Sequence, residues 1–232
     1  MKSYPRSLYR ILLALVPAVF FSIAAPRPAV SETLALSSAT GEQKVKLLGG
    51  EVIVSLTELQ EGVTGVTGHI YIAAPPAKVW EAITDYDNHK NFVPNVLESG
   101  VLADNGSEKI MFEKGKSGIF LFQKKVYTKM KVWGESAKHL YFQQIDGDFQ
   151  VYRGEWILDE SQQGKGTFLT YKAEVKPDFF APQFAVRNVQ ERDCPRMMMA
   201  MKKQAEALLH KEQNAAQPVT RSPKNIAGSN QS

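Results

Sequence analysis

The side chains best suited to ligate a metal or move a proton near neutral pH are histidines, and this chain scatters its four at His69, His89, His139 and His210. None lies four residues from another, and the lone Cys194 supplies no second thiolate. A metal needs several such ligands converging on one point, so the pattern suggests no metal site. Gly115-Lys116-Ser117 ends like a phosphate-cradling loop, but the glycine required five positions earlier is Ile110. That match therefore fails. Neither G-x-S-x-G nor S-x-x-K occurs, so no activated serine is indicated. Asp85, Asp87 and His89 fit either an acid–base group at a pocket mouth or caps at a helix–helix junction, the commoner role for aspartate. Arg153 and Glu155, two apart on one strand, suit an exposed ion pair worth about 0–1 kcal/mol.

Apolar side chains carry the stronger signal. Met197, Met198, Met199 and Met201 crowd one segment, and the flexible thioether adapts to varied apolar shapes as readily as it fills a core. Phe179, Phe180 and Phe184 precede them, as a gate or as a packing staple. Trp80, Met130, Trp156, Leu169, Tyr171, Phe184, Met198 and Met201 are the expected lining of an apolar cavity. No residue is assigned a catalytic role and no cofactor is expected. Acid–base chemistry inside such a cavity would have to come from His69, Tyr71, Asp85 or Tyr171. Lys114, Lys116, Lys124, Lys125, Lys129 and Lys131 would either face an anionic membrane or coat a wet sheet face, the simpler role.

These residues sit on elements the pattern makes explicit. Val52, Val54 and Leu56 alternate, as do Ile70 and Ile72, and both runs predict strands. Pro75-Pro76 opens a helix whose buried face carries Val79, Ala82, Ile83 and Tyr86, since proline loses nothing at a first helical position. Asp85 ends it, and a second short turn runs through Phe92 to Pro94. From Val96 to Lys176 about six antiparallel strands follow, punctuated at Asp104-Asn105-Gly106-Ser107, Gly134-Glu135-Ser136, Asp146-Gly147-Asp148 and Gln163-Gly164-Lys165-Gly166. Asn105-Gly106-Ser107 is formally a glycosylation sequon, and the hairpin turn accounts for it. A long helix is expected from near Pro195 to about Lys211, with Met198, Met201, Ala205 and Leu208 as its apolar stripe. The fold class is α+β: a bent antiparallel sheet wrapped on one long C-terminal helix, with room for a ligand between them.

The chain's ends read differently from its middle. Lys2, Arg6 and Arg10 precede the apolar run Ile11 to Ala25, and Ala29-Val30-Ser31 offers small residues for cleavage. That is the layout of a signal peptide over residues 1–31. Fifteen residues rise only about 22 Å as a helix, short of a bilayer core of about 30 Å, although a retained anchor is the rival reading. Lys and Arg number 28 against 24 Asp and Glu, and four of the basic residues lie in residues 1–31, so the mature chain is neutral. Nucleic acid loses its electrostatic argument as a partner. One cysteine also means no intrachain disulfide, even in a periplasm or thylakoid lumen. Residues 32–50 read as a linker, 51–212 as one domain and 213–232 as a polar, disordered tail.

The string Ile72-Ala73-Ala74-Pro75-Pro76-Ala77-Lys78-Val79-Trp80, followed by Thr84-Asp85-Tyr86-Asp87 and Phe92-Val93-Pro94-Asn95-Val96, resembles the opening of the polyketide cyclase/dehydrase family, which includes coenzyme Q-binding START-like proteins. Gly147-Asp148-Phe149, Gly154-Glu155-Trp156 and Asp193-Cys194-Pro195 extend the likeness across about residues 63–210. The resemblance implies a helix-grip fold with a hydrophobic tunnel. It also implies a lipid or quinone binder, an aromatase/cyclase or a ribosome-associated toxin, and carries no catalytic motif onto a residue here. Export disfavours the ribosomal and polyketide roles. The expected function is an exported carrier of a lipid or isoprenoid quinone with transient membrane contact, the alternative a cyclase or dehydratase.

Overall fold

The computed structural model describes residues 41–119, 122–161 and 164–216. The expected signal segment and most of the polar tail lie outside the described residues. The segment read as a patternless linker contains a two-turn helix, α1 (Gly41–Leu48), which buries Leu47.

Strands β1 (Val52–Glu58) and β2 (Thr64–Ile72) form a hairpin. Helices α2 (Pro76–Thr84) and α3 (His89–Phe92) follow. Six strands then meander: β3 (Val96–Asp104), β4 (Glu108–Ile119), β5 (Phe122–Glu135), β6 (His139–Gly147), β7 (Phe149–Glu160) and β8 (Thr167–Pro177). The last element is α4 (Gln183–Ala216). One antiparallel sheet holds all eight strands in the order β1-β2-β8-β7-β6-β5-β4-β3.

Contacts of α4 give the sheet's curvature. This helix packs on α2, on β1 and β2, and also on β4. Six strand spacings separate β1 from β4, about 29 Å if the sheet were flat, whereas a helix with its side chains is about 10–12 Å across. The sheet must therefore curl around the helix. Register shifts that leave an extra residue in β3, β6 and β7 supply the bulges that bend strands this way.

Alternation decides what lines the concave face. Val66, Ile70 and Ile72 on β2 and Leu169, Tyr171, Ala173 and Val175 on β8 are all buried, at the even spacing that puts side chains on one face of a strand. Full burial of an Ile or Leu side chain contributes about 1.5–3 kcal/mol. On β7, Gly154 lets the backbone of β8 and the Phe142 ring come close, with Phe142 Cζ 2.6 Å from where a Cβ would lie.

Two expectations need correction. Helix α4 begins at Gln183, and Pro195 lies twelve residues inside it. Pro182 is the residue that opens it, its carbonyl accepting the amides of Ala185 and Val186. Pro195 has no N–H for the Glu191 carbonyl one turn back. Arg153 and Glu155 do not pair with each other either. Arg153 binds Glu174, and Glu155 binds Lys172 and His139, because residues two apart on one strand are farther apart than partners across the β7–β8 ladder.

Candidate functional site

A cavity lies between the concave face, α4 and the segment from α2 to β3. Its outer compartment encloses about 180 Å³ and its inner one about 60 Å³. Val93, Glu113, Tyr152, Tyr171 and Met197 border both. The outer part is walled by Thr128, Phe149, Val175, Val189 and Cys194, with Lys116 and Asp193 also on its wall. The inner part is closed by Ile83, Met111, Met130, Trp156 and Met201.

Of the expected lining residues, Met130, Trp156, Tyr171 and Met201 come together on the inner wall. Four others lie elsewhere. Leu169 and Met198 are fully buried in the core, and the Met198 thioether sits over Gly68. Trp80 is partly buried against the core from α2, and its carbonyl accepts the Thr84 hydroxyl. Phe184 is 67% exposed on the first turn of α4, so it closes nothing. Helical spacing marks which residues are buried but not which of them face a hollow.

Polar groups in the wall are richer than the sequence suggested. The inward face of β4 carries Met111 and then Glu113. Glu113 Oε1 lies 2.8 Å from Nδ1 of His89, a buried residue of α3. The His89 ring is packed edge-on between Tyr86, at 5.4 Å, and Phe92, at 5.5 Å. Asp85 and Asp87 are not part of this group. Asp85 accepts the Asn88 side-chain amide and Asp87 the Val101 backbone amide, so both are structural.

Electrostatics in the cavity follow from burial around one carboxylate. Burial, reinforced by Glu113, pushes the Tyr86 hydroxyl above its ordinary range. Tyr171 is raised well above its usual value by burial first. Tyr152 is pushed up to about 12, again chiefly by burial, and is hydrogen-bonded to Tyr171. Burial also pushes the Cys194 thiol up to about 12. All four stay protonated at physiological pH, as neutral hydrogen-bonding groups in an apolar wall. Among the described residues no group of three His, Cys, Asp or Glu could hold a metal.

Comparison with known proteins agrees with this architecture. The sequence profile described as polyketide cyclase / dehydrase and lipid transport matches residues 72–202. A search of curated proteins gives no match. Among solved structures, the Zhui aromatase/cyclase from Streptomyces sp. R1128 superposes with a TM-score of 0.55 at 15% identity, covering 63% of this chain and 96% of that one. The STAR-related lipid transfer protein from Xanthomonas axonopodis gives 0.53 at 12% identity, covering 67% and 93%. A protein from Thermus thermophilus gives 0.53 at 20% identity, covering 62% and 98%. At these identities the likeness is one of fold, the START-type helix grip, shared by a cyclase and a lipid-transfer protein alike. With more than half its length matched by the profile, the chain belongs to the polyketide cyclase/dehydrase and lipid transport family.

Proposed function

We propose that this protein is an exported, non-catalytic binder or carrier of a hydrophobic small molecule, a lipid or an isoprenoid quinone. One observation carries the reading: a largely apolar cavity held between α4 and the curled sheet. A cavity of about 150 Å³ holds benzene, so the 180 Å³ outer compartment suits one ring or a short acyl segment. Longer ligands must trail out of it. Burying about ten methylene equivalents gains roughly 8 kcal/mol gross, and a bilayer offers a similar refuge, so exchange with a membrane is close to neutral. Phe180 and Phe184, 94% and 67% exposed, follow the end of β8. Lys124 lies 3.9 Å over the neighbouring Phe179 ring. Exposed aromatics beside lysines suit transient contact with an anionic membrane.

Native mass spectrometry of the protein purified from its own compartment tests the reading. A co-purifying apolar molecule is expected, and the mature chain should begin after residue 31. Absence of any such molecule, together with no binding of added quinones, sinks the proposal. A cyclase or dehydratase is the second reading, favoured by the His89–Glu113 hydrogen bond in the cavity wall. It requires that His89→Asn and Glu113→Gln each abolish the cellular role.

A further inference from the structure

Among the described residues, three buried side-chain polar atoms have no hydrogen-bond partner: Tyr86 Oη, His89 Nε2 and Gln144 Oε1. Two of these three residues, Tyr86 and His89, line the same 60 Å³ compartment. They are 4% and 5% exposed, far from bulk water. Native interiors rarely leave such atoms bare, and each that is bare asks for a reason. The surrounding wall of Ile83, Met111, Met130 and Val132 offers them nothing.

Their chemistry is complementary and fixed by neighbours. An ionised Glu113 can only accept at His89 Nδ1, which places the proton there, so that the neutral ring presents a bare lone pair at Nε2. The Tyr86 hydroxyl keeps its proton, because burial and Glu113 raise it. The compartment therefore presents one acceptor and one donor. A hydroxyl group is a small neutral group that satisfies both, donating to Nε2 while accepting from Oη. A carbonyl or ether oxygen would answer Tyr86 alone and leave His89 unpaired. A phosphate or carboxylate would meet Glu113, with no lysine or arginine in this compartment's wall to offset it.

We propose that the inner compartment is a hydroxyl-recognition site in which His89 Nε2 and Tyr86 Oη bind one alcohol or phenol hydroxyl on an otherwise apolar ligand. The inference rests on the apolar-ligand reading above and sharpens it. A hydroquinone or a hydroxylated lipid offers this group, and the corresponding quinone or ether does not.

Calorimetric titration of the purified protein with 4-propylphenol, 4-propylanisole and propylbenzene tests this. The phenol is the most water-loving of the three, so a purely greasy cavity would bind it least tightly. The site predicts that it binds roughly tenfold or more tighter than either analogue, one satisfied pair of polar groups being worth at least that ratio. Tyr86→Phe deletes a single oxygen, and His89→Phe keeps a flat ring. Each should cut the advantage below about threefold while propylbenzene binds as before. Thermal melts of Tyr86→Phe should match or exceed the parent, since an unpaired buried hydroxyl is lost. Equal binding of all three probes overturns the proposal and assigns the two atoms to water. So does a phenol advantage that survives both substitutions, which would locate the hydroxyl elsewhere, for example on Tyr152. Failure of all three probes to bind is a separate result that removes the apolar-ligand reading itself.

Discussion

Met198 and Met201 stand three apart on α4, both almost completely buried, but only Met201 faces the hollow. Truncating each to alanine therefore separates core from cavity wall. Either change removes about three methylene equivalents, roughly 2.4 kcal/mol of transfer free energy. A further contribution comes from unfilled space, at about 24 cal/mol per Å³. At Met201 the neighbours already border a 60 Å³ void and cannot collapse, so Met201→Ala should cost about 3–4 kcal/mol by urea unfolding. Met198→Ala falls in the same range.

Ligand selectivity then distinguishes them. Met201→Ala widens the inner compartment, so a bulkier head such as 2-naphthol should gain on phenol. Recovering half of the lost transfer energy is about 1.2 kcal/mol, or roughly sevenfold in the ratio of affinities. Met198→Ala opens space over Gly68, away from the ligand, and should leave that ratio unchanged. Calorimetry reads the ratio and urea titration reads the stability. If the two variants shift the naphthol-to-phenol ratio alike, or if Met201→Ala costs less than about 1 kcal/mol, the cavity is not where α4 and β4 place it.

Three further outcomes follow from single positions. Cys194, with its thiol pushed up to about 12 by burial, should react with iodoacetamide at pH 8 on the order of 10³-fold more slowly than in urea, through its smaller thiolate fraction; equal rates would contradict its burial. His69 is held below its ordinary 6.5 by burial first and the Lys172 charge second, with Asp159 acting oppositely. The unfolded chain therefore binds a proton that the folded one refuses, and stability should fall as pH drops through about 6.5 towards the lower folded value; His69→Gln should flatten that slope in urea midpoints measured from pH 7.5 to 5. Gly154→Ala forces a Cβ into the Lys172 carbonyl and to within 2.9 Å of the Ala173 Cα, backbone that cannot swing aside, so a loss of about 3 kcal/mol or more is expected, and a loss under 1 kcal/mol in the same assay would refute the close strand contact.

How much of this was legible in the sequence depends on the range of the interaction. Alternation in Ile70 and Ile72 and in Leu169, Tyr171 and Ala173, with turn residues such as Asn105-Gly106, specified the strands, because strand faces and hairpins are set by neighbours in sequence. In the Asn105 turn the side chain accepts the Glu108 amide at 2.8 Å and Gly106 adopts φ +88°, which is local chemistry. The polar wall was hidden. His89 was grouped with Asp85 and Asp87, which adjoin it in sequence, whereas its partner Glu113 is 24 residues away across a sheet edge. One signal was available: Glu113 stands two residues after buried Met111, so the pleat turns its carboxylate inward, on the face opposite Lys114. The cavity wall therefore carries a carboxylate and an imidazole beside the expected apolar lining. The start of α4 was misplaced because Pro182 and Pro195 are equally good openers of a helix, and only the tertiary packing of Val186 selects the first.

The distribution of polar groups bears on how a ligand would lie. The unpaired atoms of Tyr86 and His89 stand in the smaller, inner compartment, whereas exposed Phe180 borders a separate groove with Gln150, Lys176 and Gln183. An amphiphile entering tail-first would press methylenes against a bare acceptor and a bare donor, forfeiting two hydrogen bonds at about 1–3 kcal/mol each. Entering head-first it satisfies both, and its tail occupies the outer space. The bare donor and bare acceptor of the inner compartment favour the head-first order.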